Sequence, residues 1–189
     1  MKKILCIVLA SAFLFTAVQA QSVQFGIKAG VNAANIDISN GNEYDSKIGM
    51  HAGGLVHIHI NDHFAIQPEL VYSMQGCKTE DDDFKLKLNY VNVPVLAQYM
   101  FNGGFRLQTG PQFGFLTSAK TKNGEVEVDV NDEIKSTDFS WAFGAAYLSK
   151  VGVGVDFRYN LGISNVSEVA AFETKNRVFQ LGLFYQFAK

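Results

Sequence analysis

His51, His57 and His59 fall on one face of a segment in which every second residue is apolar. A His-x-His pair can bind zinc or copper through imidazole nitrogens when a third ligand lies opposite, which makes these three the weak metal candidates of the chain. Neutral histidines hydrogen-bonded in a packed polar interior give the same pattern, and no acidic residue is fixed beside them by spacing. The expectation is therefore no metal and no cofactor. Lys28, Glu69, Arg106, Asp156 and Arg158 are isolated charges on otherwise small, neutral faces. Charge enclosed in a narrow interior is costly unless paired, so these five predict an ion-pair network that plugs the space around them. Nucleophilic catalysis finds no footing. A triad needs Ser, His and Asp within reach of one another, yet His63 falls in a short turn and the other three histidines face inward, so the chain is expected not to be an enzyme. The acidic run Glu80-Asp81-Asp82-Asp83 and the alternation Glu125-Val126-Glu127-Val128-Asp129-Val130 have the composition to hold calcium or meet a cationic partner, and read first as solvated loops.

Strands must position these residues, because helical spacing is nearly absent beyond the first twenty residues. The first run sets Val23, Phe25, Ile27, Ala29 and Val31 on one face against Gln24, Gly26, Lys28, Gly30 and Asn32 on the other. Seven further runs repeat the period of a half-buried strand, in 50–60, 64–75, 91–101, 106–115, 139–147, 151–161 and 179–187. Pro68 and Pro94 are exceptions that a ladder is expected to tolerate only at bulges or strand ends. Short and long links take turns. Asn61-Asp62-His63, Asn102-Gly103-Gly104 and Leu148-Ser149-Lys150 are tight, whereas 35–47, 76–83, 118–137 and 164–176 are long and polar. Lys122-Asn123-Gly124 supplies a turn, so the alternation that follows it has the means to extend a hairpin. The pattern predicts an all-β fold, an eight-stranded antiparallel up-and-down transmembrane β-barrel with short periplasmic turns and longer outside loops.

Alternation alone does not say which face meets water. A soluble periplasmic or secreted β-barrel that binds an apolar ligand, as lipocalins do, is the competing reading. The polar face decides between them: it is Gly, Ala, Ser, Gln and Asn with few charges, unlike a water-facing surface rich in Lys and Glu. Phe139, Trp141, Phe143 and Tyr147 on one strand, with comparable volume from the others, would overfill the inside of an eight-stranded barrel. Lipid accepts that volume, and aromatics near the run ends suit the two interfacial girdles.

The two ends and the composition agree. Lys2 and Lys3, an apolar stretch over 4–18 and small residues up to Ala20 form a secretory signal peptide, so 1–20 is expected to be cleaved and 21–189 to be one barrel domain. Cys6 would leave with the signal, and Cys77 alone cannot form an internal disulfide. A net charge of -2 offers no basic field, so no nucleic acid is expected. In the last run Gly182, Tyr185 and Phe187 match the polar-x-Gly-x-x-aromatic-x-aromatic pattern read by barrel-assembly machinery. Phe25-Gly26-Ile27-Lys28-Ala29-Gly30-Val31-Asn32, Leu88-Asn89-Tyr90-Val91-Asn92-Val93-Pro94-Val95, Thr109-Gly110-Pro111 and Arg158-Tyr159-Asn160-Leu161-Gly162 occur in that order. On these stretches the chain resembles the PorT-like outer-membrane β-barrel family of Bacteroidetes. Asn92 stands where that family often has an acidic residue. The resemblance implies the outer membrane, with its lipid as the setting, and little more. From the loop pattern the chain is expected to be a non-enzymatic integral outer-membrane protein that presents its outside loops for surface interaction or for docking to envelope or secretion machinery, with an extracellular or periplasmic partner of unknown identity.

Overall fold

Period-two alternation becomes sheet throughout. The computed structural model describes residues 22–38, 45–79, 84–124, 126–167 and 174–187. They contain β1 (Val23–Ile38), β2 (Asp45–His59), β3 (Phe64–Lys78), β4 (Phe84–Met100), β5 (Phe105–Asn123), β6 (Val126–Asp129), β7 (Thr137–Leu148), β8 (Val153–Gly162) and β9 (Thr174–Gln186). Eight of these form the wall. Each wall strand pairs antiparallel with its neighbour, and β1 meets β9 from Gly26↔Gln186 to Ile38↔Thr174, which closes the barrel. β6 lies outside the wall and, among the described residues, pairs only with the far end of β5, from Lys120↔Asp129 to Asn123↔Val126. The expected signal peptide and the acidic run 80–83 lie outside the described residues.

The outer surface is apolar and the interior polar. Phe25, Ile27, Leu70, Phe113, Phe143, Phe157, Leu181 and Leu183 are exposed, while Lys28, Glu69, Gln108, Asp156, Arg158 and Gln180 are buried. This arrangement overturns the soluble ligand-binder alternative, whose apolar face would have to line the inside. The exposed apolar stretches from Phe105 to Phe115 on β5 and from Val153 to Leu161 on β8 match the roughly 9–11 residues a tilted strand needs to cross a bilayer.

Turns follow their residues. Between β4 and β5, Gly103 and Gly104 have φ of 101° and 96°, a region closed to most side chains, and a Cβ on Gly104 would meet the Leu148 carbonyl oxygen at 2.2 Å. The prolines depart from expectation: they sit inside strands without bulges. Opposite Pro68 the β2–β3 ladder skips from Leu55↔Glu69 to Ile58↔Ile66, and the register resumes unchanged. Opposite Pro94 the β3–β4 ladder skips from Pro68↔Val95 to Val71↔Asn92, and opposite Pro111 the β4–β5 ladder skips from Pro94↔Gln112 to Ala97↔Thr109. A proline lacks only the bond toward one neighbour, so the second ladder holds the strand in line.

The long loops are shorter than the sequence predicts. β4 and β5 have 17 and 19 residues against 12 and 10 in β7 and β8, so one side of the wall rises well beyond the apolar belt. The cause is legible in Lys85-Leu86-Lys87-Leu88, where the period-two pattern continues with lysine on the outer face once that face leaves lipid. Inside, two apolar clusters bracket the polar layer. At the long-loop end Ile36, Cys77, Leu88, Tyr90 and Ala119 pack with Leu86, Leu116, Val130 and Ile134; at the short-turn end Leu55, Ala146 and Phe184 pack with Leu148.

Candidate functional site

Between the apolar clusters, inward positions of β1, β3 and β8 converge on one ion-pair network. Arg158 donates from Nη1 to Glu69 Oε2 and from Nη2 to Glu69 Oε1, both at 2.9 Å, a bidentate pair that crosses the lumen. Nη2 also donates to Asp156 Oδ2 at 3.1 Å. Lys28 Nζ lies 3.3 Å from Glu69 Oε2 and 3.2 Å from Asp156 Oδ1. Gln67 donates to Glu69 at 2.8 Å and Gln108 to Asp156 at 2.9 Å. Four side chains thus balance two positive charges against two negative ones, and all four are essentially removed from solvent.

Arg106 does not join them. It is buried on β5 but forms no ion pair among the described residues, and its Nη1 has no hydrogen-bond partner. Two carboxylates cannot balance three cations, and Lys28 and Arg158 already occupy both. The histidines do not converge either. His51 Nδ1 lies 2.8 Å from Asn32 Oδ1; because Asn32 Nδ2 donates to Ser73 Oγ and the Met50 and Met74 carbonyls, Oδ1 is the acceptor and His51 carries its proton on Nδ1. His57 is held by Gln67, and its ring meets that of His59 edge-on at 4.5 Å. Among the described residues no three potential ligands are grouped to hold a metal ion.

Of the residues flagged in the last strand, Gly182 faces Gly30 across the closing seam. A Cβ there would lie 3.0 Å from His51 Nε2 and 3.1 Å from Asp156 Oδ1, so glycine lets the seam close over the network. Tyr185 and Phe187 point outward at the short-turn end with ring centroids 5.3 Å apart. Sequence reasoning missed the amide layer: Gln67, Gln108, Asn32 and Gln180 bind the charged groups or one another, and the signal for them was their alternation with lipid-facing residues.

Above the belt, β4, β5 and β6 form a three-stranded extension. Glu127 of β6 accepts from Lys87 Nζ at 2.6 Å and from Lys120 Nζ at 2.9 Å, clamping the hairpin to both strands. These two hydrogen bonds, that from Lys87 foremost, lower the Glu127 carboxyl to about 2.

A closed antiparallel barrel with an apolar exterior and a polar interior defines an integral membrane β-barrel. The chain belongs to the outer membrane protein beta-barrel domain family, whose model matches residues 19–168. It is similar in fold to Neisserial surface protein A, with TM-score 0.63 at 15% identity over 88% of this chain and 99% of that one. It is likewise similar to Ail, the attachment invasion locus protein of Yersinia pestis, with TM-score 0.54 at 14% identity over 87% of this chain and 98% of that one. No curated protein matches the sequence. The protein is an integral outer-membrane barrel, with its short turns on the periplasmic side by the usual orientation of such barrels.

Proposed function

We propose that this barrel is a non-enzymatic display scaffold: it carries the β4–β5–β6 extension at the cell surface, where that element docks a partner belonging to the surface or to the envelope machinery. The observation that carries this reading is the pairing of an extended, clamped hairpin with a filled lumen. The wall spends its extra length on the side where Glu127 ties three strands together, and the interior beneath is occupied by ion pairs and apolar clusters. Val126 and Val128 are exposed on β6, whose outer edge follows no other named strand. A strand at a sheet edge presents backbone N–H and C=O groups to which another chain can pair, and the two exposed valines add apolar contact.

The finer reading keeps the PorT-like assignment, export through a signal peptide cleaved after Ala20, and recognition of Gly182, Tyr185 and Phe187 by the barrel-assembly machinery. The sequence order of the four matching stretches, the charged and apolar pattern of the first twenty residues and the outward aromatic pair of the last strand support it.

The test is a Val128→Cys variant in a Cys77→Ser background. A membrane-impermeant maleimide added to intact cells is expected to label it, and a photo-crosslinking residue at Val126 is expected to trap a discrete protein adduct that the same residue at lipid-facing Leu181 does not. Labelling only after cell breakage, or no adduct specific to Val126, would overturn the proposal.

A further inference from the structure

We propose that the barrel retains one acyl chain of a periplasmic-leaflet phospholipid in a groove on its lipid-facing wall. The groove holds about 420 Å³. Its floor is the cross-strand pair Ala97↔Thr109 of β4 and β5, the short side chains of a region whose neighbours are large. Phe64, Tyr99, Leu107 and Phe143 form the walls.

The chemistry of the groove selects hydrocarbon. Thr109 Oγ1 donates to the Ala142 carbonyl at 3.0 Å and accepts from Trp141 Nε1 at 2.8 Å, which uses the hydroxyl within the wall itself. Gln98 and Gln108 lie behind the floor but turn inward, where Gln98 donates to Gln108 at 3.0 Å. The floor thereby offers no free hydrogen-bonding group to a polar occupant; the Tyr99 hydroxyl, on a wall at the short-turn end, is the polar group that remains, and the surroundings are continuous with the apolar belt that faces lipid.

Position selects the leaflet. Tyr99 sits at the short-turn end, in edge-on contact with Phe64 and Phe101 and stacked on His63 at 5.9 Å. That aromatic girdle marks the periplasmic interface, where lipid headgroups lie and a chain enters the groove. Because lipid tails are as apolar as the wall, the hydrophobic effect supplies no net drive. Retention comes from dispersion contacts that an unfilled groove would forfeit.

This inference rests on the outer surface being embedded in the membrane. The experiment extracts the full chain from outer membranes in mild detergent and counts bound lipid by native mass spectrometry, for the wild type, Ala97→Phe and Ala52→Phe. Ala52 is exposed on the same belt but outside the groove. The wild type and Ala52→Phe are expected to retain one phospholipid per barrel and Ala97→Phe at least about tenfold less, with heat-dependent gel migration the same in all three. Equal retention in wild type and Ala97→Phe, no retained lipid in the wild type, or retention of an outer-leaflet glycolipid would overturn the groove. Release of the protein without detergent would instead overturn the membrane reading beneath it.

Discussion

Glu69 is the side chain on which the interior depends, because its two oxygens meet Arg158, Lys28 and Gln67 at once. Neutralising it by Glu69→Gln leaves Lys28 and Arg158 buried with Asp156 as their one remaining carboxylate. Breaking a buried pair from one side costs about 3–5 kcal/mol, so that loss is expected in urea unfolding from lipid vesicles. Lys28→Met combined with Asp156→Asn removes one charge of each sign and keeps the bidentate pair. The double variant is expected to lose less stability than Glu69→Gln and less than the sum of its two single changes. Additive losses would mean that the four groups do not act as a unit. The members of this network were visible in the sequence as lone charges on small-residue faces, but their pairing was not. Which inward residues come level depends on how far the strand rows climb around the barrel, and that offset is set by closure between β1 and β9. Arg106 shows the consequence: by residue type it belongs with the others, and by charge balance it is surplus.

At the scale of elements, the sequence located all eight wall strands because lipid on one side and a packed lumen on the other impose a clean period of two. It lost the strands where lipid ends. Beyond Val91 and Phe115 the outer positions become Lys87, Lys85, Lys120 and Lys122, and the contrast between faces fades although the pairing continues from Leu88↔Ala119 to Phe84↔Asn123. Two cross-strand lysine pairs, Lys85↔Lys122 and Lys87↔Lys120, would repel, and β6 brings Glu127 and Asp129 alongside Lys122 and Lys120. The Glu127 carboxyl lies below its unfolded value, so its clamp contributes at neutral pH and is lost as pH falls from 4.5 toward about 2. Its partners are well exposed, so the effect belongs to the hairpin and not to the barrel. Amide protection at Val126–Asp129, taken relative to intrinsic exchange at each pH, is expected to stay high from neutral to mildly acidic pH and to fall through that window, while Glu127→Gln shows low protection throughout. Protection in Glu127→Gln equal to wild type would show that backbone pairing alone holds β6.

For the whole molecule, the alternation of tight and long links already implied an up-and-down barrel, whereas the filling of its lumen in layers emerged only once the strands were in register. An eight-stranded wall leaves an interior that side chains can fill. Here the fill changes along the axis: Leu55, Ala146, Phe184 and Leu148 at the periplasmic end, the balanced ion pairs in the middle, and the cluster around Leu88 and Tyr90 toward the surface. An ion crossing this lumen would have to shed its water twice, and on the way it would meet the paired charges of the four-residue network and Arg106, a cation with no ion pair among the described residues. Wild-type protein in planar lipid bilayers is therefore expected to show no discrete conductance steps. Leu88→Ala with Tyr90→Ala opens only the surface layer, so it too is expected to stay silent because Arg158 still crosses to Glu69. Steps from the wild type would mean that the layers part in a membrane and that the barrel is a conduit; steps from the double variant alone would place the seal in the apolar cluster and leave the ion pairs a purely structural role.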